Sequence, residues 1–372
     1  MSRTFAVEML PAREGDCLLV SWGDVDHPHR LLIDAGRAGT RRAIRDRFAA
    51  ASPDERRLEL LIVTHVDRDH IEGVLPLLSD PDPPITFRDV WFNGYHHLHD
   101  GRIETFGPVQ GERLTRLLER PDTSWNGAFG GRSVEVTHAP EPVTLAGGLT
   151  LRVLAPDRDD LERLIPVWER ECRRARLTPG GEESTAVDIE APLGYESFGP
   201  IDVPGLAAVP YIPDPSEANG SSIVVLAEYE GRRVLLAADA HAETLVRALA
   251  PLAAESGSRR VMLDAVKVPH HGSRHNLSRE LVALLESPRL LISTNGAHHQ
   301  HPHDVALARI LADGGQPHLV FNYRTAQTLV WDDDTLRAQW LYTTSYPPAG
   351  QDGTNAVDLC ADPDDRRPDT TV

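Results

Sequence analysis

Leu58-Glu59-Leu60-Leu61-Ile62-Val63 runs directly into Thr64-His65-Val66-Asp67-Arg68-Asp69-His70. The first stretch, apolar except for Glu59, reads as a buried strand by composition. The second holds four groups able to ligate a metal, His65, Asp67, Asp69 and His70. A tight turn at a strand end can fold such residues around one point. Neutral imidazole nitrogen with anionic carboxylate oxygen suits zinc, or a harder ion such as manganese. The competing explanation is a polar turn capping the helix expected over 71–78, with Asp69 near its positive end. One His and one Asp would fit that explanation. Two of each, so closely spaced, favour a metal site.

Outward from this stretch, short apolar runs alternate with turns and helical patterns. Strands are expected at 17–22, 31–33, 90–92, 149–154, 222–226, 234–238, 261–268, 290–293 and 319–321, with helices over 40–51, 157–176 and 241–250. A terminal hairpin is expected from 328–331 and 336–341. Between 178 and 217 Gly, Pro, Glu and Asp dominate and periodicity is lost. Together with the preceding helix this makes 157–218 a helix plus a loop-rich insertion within one domain, 1–346. The Pro, Gly and Asp content of 347–372 predicts a disordered, frayed tail.

Composition narrows the classes of function. The 372 residues include 38 Lys and Arg against 56 Asp and Glu, a net charge of -18. That balance argues against a general nucleic-acid coat, which needs a basic footprint. It does not exclude an enzyme that cuts a phosphodiester at a metal site, because bound cations reverse the local field. No apolar run is long enough for a membrane span. Arg13, Glu14 and Asp16 stand where a secretion signal needs an apolar stretch. Cys17, Cys172 and Cys360 make no disulfide framework and no thiolate zinc site, which fits a reducing cytoplasm. The expected localisation is cytoplasmic.

Three later stretches carry further chemistry. Val268-Pro269-His270-His271-Gly272-Ser273 follows a strand. Its paired His can supply one ligand and one proton donor, Gly272 permits close backbone approach, and Ser273 can hydrogen-bond a phosphate oxygen. Leu235-Leu236-Ala237-Ala238-Asp239 ends on an Asp that could cap a helix or bridge two metals, with even weight. In His298-His299-Gln300-His301-Pro302-His303, His298 and His299 read as an adventitious His-rich loop. Arg42, Arg45 and Arg47 form a local basic strip or, more simply, a solvated helix face.

The order His-x-Asp-x-Asp-His, Asp after a strand, then His-His-Gly-Ser resembles the metallo-β-lactamase superfamily. More narrowly it resembles the hydrolase domain of ComEC-type competence proteins and their free-standing relatives. Supporting matches are Glu14-Gly15-Asp16, Leu32-Ile33-Asp34-Ala35-Gly36, Gly220-Ser221-Ser222-Ile223-Val224, the Lys267 that opens Lys267-Val268-Pro269-His270-His271-Gly272-Ser273, and His301-Pro302. The resemblance implies an α/β fold, a four-layer αββα sandwich with the metal site at the edge of its two sheets. It implies His65 and Asp67 on one ion and Asp69 and His70 on the other. Asp239 would bridge them, and one of His270 and His271 would complete the second site. Asp16 and Asp34 would orient ligands. Two departures stand out. Asp67 replaces the commoner His, and a further His ligand has no clear counterpart. His96, His97, His99 and His138 lie in the right interval, and Asn219 or Ser221 can take that place. Ala238-Asp239 stands where Gly-Asp is usual, a small change if Ala fits the backbone angles.

The function implied is a metal-dependent hydrolase using one or two divalent ions, Zn or Mn, and a metal-activated water. A phosphodiesterase or nuclease acting on DNA, RNA or a smaller nucleotide comes first. Asp69 and His271 carry the chemistry, with a protonated His271 serving the leaving oxygen. His301 binds substrate or donates a proton, and Asn219, Ser221, Lys267 and Ser273 contact substrate. A lactone, thioester or choline-type phosphodiester hydrolase on the same scaffold comes second. Third is a non-catalytic interaction subunit that uses 178–217 as its partner surface.

Overall fold

Side chains alternate across a strand, so each strand here divides its apolar residues between two layers. The computed structural model describes residues 2–99, 109–174 and 201–360. In chain order the strands are β1 (Arg3–Met9), β2 (Leu18–Asp24), β3 (Pro28–Ile33), β4 (Arg57–Ile62) and β5 (Thr86–Trp91), then β6 (Val143–Thr144), β7 (Thr150–Ala155), β8 (Val224–Tyr229), β9 (Arg232–Leu236), β10 (Val261–Met262), β11 (Ala265–Lys267), β12 (Leu285–Glu286), β13 (Arg289–Ile292), β14 (His318–Phe321), β15 (Thr343–Ser345) and β16 (Asn355–Asp358). One sheet has the order β16-β1-β2-β3-β4-β5 and the other β15-β14-β13-β11-β9-β8-β7-β6, while β10 and β12 pair separately.

The parity of burial shows four layers. Leu31 and Ile33 of β3, Leu60 and Ile62 of β4 and Trp22 of β2 pack with Val225, Val234, Leu236, Leu291 and Val320, so the two sheets face each other across one core. The alternate residues Leu19, Leu32 and Leu61 meet Ile44, Val74, Leu114 and Trp168 from the helices Thr40–Arg47, Val74–Leu78, Val109–Leu118 and Arg158–Arg174. On the far side Leu226, Leu235, Val266 and Leu290 meet Leu245, Leu281 and Leu307 of the helices Ala242–Glu255, Arg279–Leu284 and Asp304–Asp313. The architecture is therefore an αββα sandwich, as the resemblance implied. Emptying one of the fully buried positions, such as Trp22 or Trp91, is expected to cost about 3–5 kcal/mol.

Both halves repeat one wiring scheme. β1, β2 and β3 are antiparallel and then β4 and β5 run parallel to β3. Likewise β7, β8 and β9 are antiparallel, and β11, β13 and β14 run parallel to β9. The chemistry-bearing loops leave the ends of these parallel strands.

Three expectations differ from what the chain does. The hairpin over 328–331 and 336–341 is replaced by the helices Ala326–Leu329 and Asp334–Trp340. Thr325 and Asp333 accept the Thr328 and Leu336 amides, and these side-chain caps favour helix over the strand that the β-branched and aromatic residues suggested. The tail does not fray directly after 346. β16 pairs antiparallel with β1, and Val357 and Leu359 are buried against the inter-sheet core; residues 361–372 lie outside the described ones. Of the insertion, 178–200 lie outside the described residues, whereas 201–217 pack closely. There the buried Arg309 guanidinium donates to the carbonyls of Val209, Arg274 and Leu277. No helix among the described residues is long and apolar enough to cross a membrane.

Candidate metal centre

Five loops converge at one end of the sandwich. Asp34 follows β3, Thr64 to His70 follow β4, Asp239 follows β9, His270 and His271 follow β11, and Ser293 follows β13. The backbone is forced to bring them together. Asp34, Ala238, His270 and His271 have φ of 55, 48, 45 and 54°, in the left-handed region that costs L-residues about 1–2 kcal/mol each. The loop before β2 arrives through Gly15, where an added Cβ would lie 1.7 Å from the Asp69 carbonyl oxygen, so no larger residue permits this approach.

The four imidazoles share one orientation. His70 Nδ1 lies 2.8 Å from Asp34 Oδ2. His65 Nδ1 lies 2.9 Å from Thr64 Oγ1, whose own proton goes to Asp34 Oδ2 at 2.7 Å. His271 Nδ1 donates to the Ser293 carbonyl at 2.7 Å. His270 Nδ1 faces Asn276 Oδ1 at 2.8 Å and Asp214 Oδ2 at 3.3 Å. Each Nδ1–H is thus spent on an oxygen behind the ring, which fixes the tautomer and leaves the Nε2 lone pair pointing inward. The four Nε2 atoms lie 3.3 Å (His70), 3.4 Å (His271), 3.7 Å (His270) and 4.0 Å (His65) from one atom, Asp239 Oδ2.

These spacings are those of a coordination sphere. Bonds of about 2.1 Å at the tetrahedral angle put ligand atoms about 3.4 Å apart. His70 Nε2 and His271 Nε2 are 3.2 Å apart, and Asp69 Oδ2 lies 3.6 Å from His271 and 3.9 Å from His70. His70, His271, Asp239 and Asp69 therefore outline one ion's position. His65, Asp67 (3.8 Å from His65 Nε2), His270 and Asp239 outline a wider one. Asp16, His70, Asp239 and His271 also have ligand atoms all within 4.8 Å of one another. His65 Nε2 and Asp239 Oδ1 are buried without a hydrogen-bond partner among the described residues, the condition a bound cation would relieve. The donor set fits one divalent ion, or two.

The fields are strong. Burial alone would depress His70 and His271. The Asp239 carboxylate beside both, with Asp34 at His70 and Asp16 at His271, outweighs it, taking His70 well above its ordinary value and His271 to about 9. His65 goes the other way, pushed down to about 3 by burial and by His70. Burial works against the Asp239 carboxylate too, yet His271, His70 and His270 hold it well below the usual range.

The structure sorts the expected residues. His271 stands with Asp69 and His70, and His270 on the His65 side, which separates a pair the sequence left open. With Nδ1 on the Ser293 carbonyl, the buried His271 presents Nε2 to the same cluster as His70 and Asp239. Lys267 reaches no substrate. It is 0% exposed and its ammonium pairs with Asp16. Ser221 donates to the Ala218 carbonyl, and buried Ser273 accepts the His275 amide. Asn219 sits behind His270, donating to Asp214. The His301 ring packs on His270 and His271, with centroids 5.0 and 6.2 Å away. His96, His97 and His138 stand apart, on Trp125, Gly131 and Ser133, and the side chain of His99 lies outside the described ones. Two residues of the basic strip are paired, Arg45 with Asp80 and Arg47 with Glu8, whereas the exposed Arg42 lies 3.8 Å from Asp46. Asp214, Asn276 and Ser293, which orient His270 and His271, had no local signal. Asp214 lay in a stretch read as loop.

No family model matches the chain, and no curated protein does. Among solved structures it is similar to CmlA, a diiron β-hydroxylase from Streptomyces venezuelae, at 14% identity and a TM-score of 0.43, over 96% of this chain and 54% of that one. It is similar to a point mutant of CmlA β-hydroxylase at 14% identity and a TM-score of 0.42, over 95% of this chain and 53% of that one. The chain spans about half the length of these solved structures.

Proposed function

We propose that the chain is a metal-dependent hydrolase of phosphoesters, phosphodiesters first, with Zn or Mn as the ion and a nucleotide or short single strand as the substrate. The observation that carries this reading is the convergence of four oriented Nε2 atoms on Asp239 Oδ2. A divalent ion held there supplies Lewis acidity and lowers the pKa of a water. The chain's own residues do the rest. Asp67 and Asp69 are the ligand carboxylates that meet solvent, with side chains 43% and 25% exposed, so substrate approaches over them. Burial opposes ionisation of Asp69, but His70 and His271 overcome it, and the carboxylate stays ionised to accept a proton from water. His301, kept neutral by burial and by the neighbouring histidines, covers His270 and His271 and excludes water from that side.

Charge supports the substrate class. In a chain of net charge -18 a cation-loaded centre is a locally positive point that attracts an anion. Long duplexes fit poorly, because Arg45 and Arg47 of the one basic strip are already committed to carboxylates. The resemblance of the motifs to competence-type hydrolases points the same way. The test is to strip the protein, reload it with Zn, Mn or Fe, and offer bis-p-nitrophenyl phosphate, a phosphomonoester, a lactone and a thioester. Metal-dependent cleavage of the diester, abolished by Asp69→Ala, is expected. Turnover of the lactone or thioester alone would replace the substrate class, and no metal uptake would overturn the reading.

A further inference from the structure

Lys267 closes β11, three residues before His270. By strand parity it shares a face with Ala265, which packs in the core between the sheets, whereas Val266 faces the helices. An ammonium there is costly unless it is paired and its donors are used. Its Nζ pairs with Asp16 Oδ2, lies 3.5 Å from the Ala238 carbonyl and stands 3.9 Å from Asp239 Oδ1. A buried pair of this kind is often replaceable by apolar residues without loss of stability, so its presence beside the centre calls for another reason. Asp16 supplies one. Its carboxylate belongs to the group with His70, Asp239 and His271 whose ligand atoms all lie within 4.8 Å. Lys267 holds its Oδ2, while Oδ1, buried without a hydrogen-bond partner among the described residues, lies 3.5 Å from His271 Nδ1.

We propose that Lys267 sets the metal preference of the centre by withholding Asp16 from the ions, which keeps the donor set rich in imidazole and limits its affinity for hard, oxygen-seeking cations. This rests on the metal-centre reading above. Remove the ammonium, and Asp16 becomes an added anionic oxygen ligand while a positive charge leaves the neighbourhood of Asp239. Both changes favour a hard divalent ion, and the first favours Mn over Zn.

The test uses the full chain stripped of metal, as wild type, as Lys267→Met, and as the volume-conserving pair Asp16→Asn with Lys267→Met. Mn and Zn affinities are read by competition with a chromophoric chelator, and the metal-free proteins are melted. Lys267→Met should melt at a lower temperature without metal, since Asp16 loses its partner. It should bind Mn roughly tenfold tighter or better than wild type, with a smaller gain for Zn. The paired variant should regain the melting temperature, and its Mn affinity should return to within about threefold of wild type. Unchanged or weaker Mn binding by Lys267→Met would overturn the proposal, as would a gain that survives in the paired variant. Should Lys267→Met not fold, the paired variant decides alone. A tenfold loss of affinity there would show that Asp16 already ligates and sink the proposal, whereas wild-type affinity supports it. Metal uptake by none of the proteins would overturn the functional reading and this inference together.

Discussion

Asp34→Asn is a sharp test of the centre, because it changes one atom and leaves the volume alone. Asp34 is wholly buried and touches no proposed ion position directly. Its Oδ1 accepts the Thr64 amide at 2.8 Å, and its Oδ2 accepts the Thr64 hydroxyl at 2.7 Å and His70 Nδ1 at 2.8 Å. The Thr64 amide can only donate, so the Asn oxygen must stay there and the Asn NH₂ must occupy the Oδ2 position. It then donates to His70 Nδ1 and to Thr64 Oγ1. His70 must carry its proton on Nε2, and the Thr64 hydroxyl must turn its hydrogen to His65 Nδ1, 2.9 Å away. Two imidazoles thereby present N–H where they had presented lone pairs. Loss of one such orienting partner costs about 10–100-fold in metal affinity, and with two rings affected a loss of roughly 100-fold is expected, about 2.7 kcal/mol. Competition with a chelator measures the affinity, and ¹⁵N chemical shifts of the imidazoles with diamagnetic Zn bound report the tautomers. Wild-type affinity in a folded Asp34→Asn protein, or unchanged tautomers, would refute the reasoning.

Further outcomes follow from the same geometry. Gly15→Ala drives a Cβ into the Asp69 carbonyl, so it should destabilise the metal-free protein by about 1–3 kcal/mol and weaken metal binding; urea denaturation and the chelator assay check both. Ala238→Gly relieves a φ of 48° and should stabilise the metal-free protein by up to about 1 kcal/mol, read as a higher urea midpoint, with a lower midpoint counting against the strain argument. His97 is buried, with Nδ1 accepting the Gly94 amide and Nε2 donating to the Gly131 carbonyl, and burial pushes it from 6.5 down to about 3. Between those values the unfolded chain binds the extra proton. Its contribution is therefore complete above about pH 6.5 and is lost as the pH falls toward 3, by up to roughly 4–5 kcal/mol. His97→Gln should flatten the slope of urea stability against pH in that window, and an identical slope would count against it.

What could be read from the sequence was whatever depends on neighbours along the chain. The continuous apolar runs of 58–63 and 31–33 marked strands correctly, because a strand buried on both faces leaves its trace in composition. The quartet His65, Asp67, Asp69 and His70 was visible for the same reason, since one turn after β4 delivers all four. The αββα layering was implied only by the family resemblance that the order of the motifs carries. The hairpin expected near the end failed because Thr325 and Asp333 cap helices there, and local hydrogen bonds outweighed β-propensity. β16 escaped notice because four residues in a polar run carry little pattern of their own; their pairing with β1 makes them a strand.

The division of labour between His270 and His271 had a different cause. Adjacent residues in a regular strand point to opposite faces, so a neighbouring pair would ordinarily offer one ring to the cleft and lose the other. Successive left-handed φ values of 45 and 54°, with Gly272 at 86°, curl the chain so that both rings face Asp239, 75° apart in plane. Such a turn is unfavourable in isolation and holds because tertiary partners fix each ring from behind: Asn276 and Asp214 for His270, the Ser293 carbonyl for His271. Those partners lie 56 residues before His270 at the farthest and 22 after His271 at the nearest long-range bond, spacings that no local pattern encodes. Lys267 belongs to the same class of fact. Its parity in β11 pointed it inward, but only the fold could show that Asp16, from the loop before β2, is there to receive it. The candidate ligands are thus written locally and their orientation globally, and removing an orienting partner should change metal binding while leaving the fold in place.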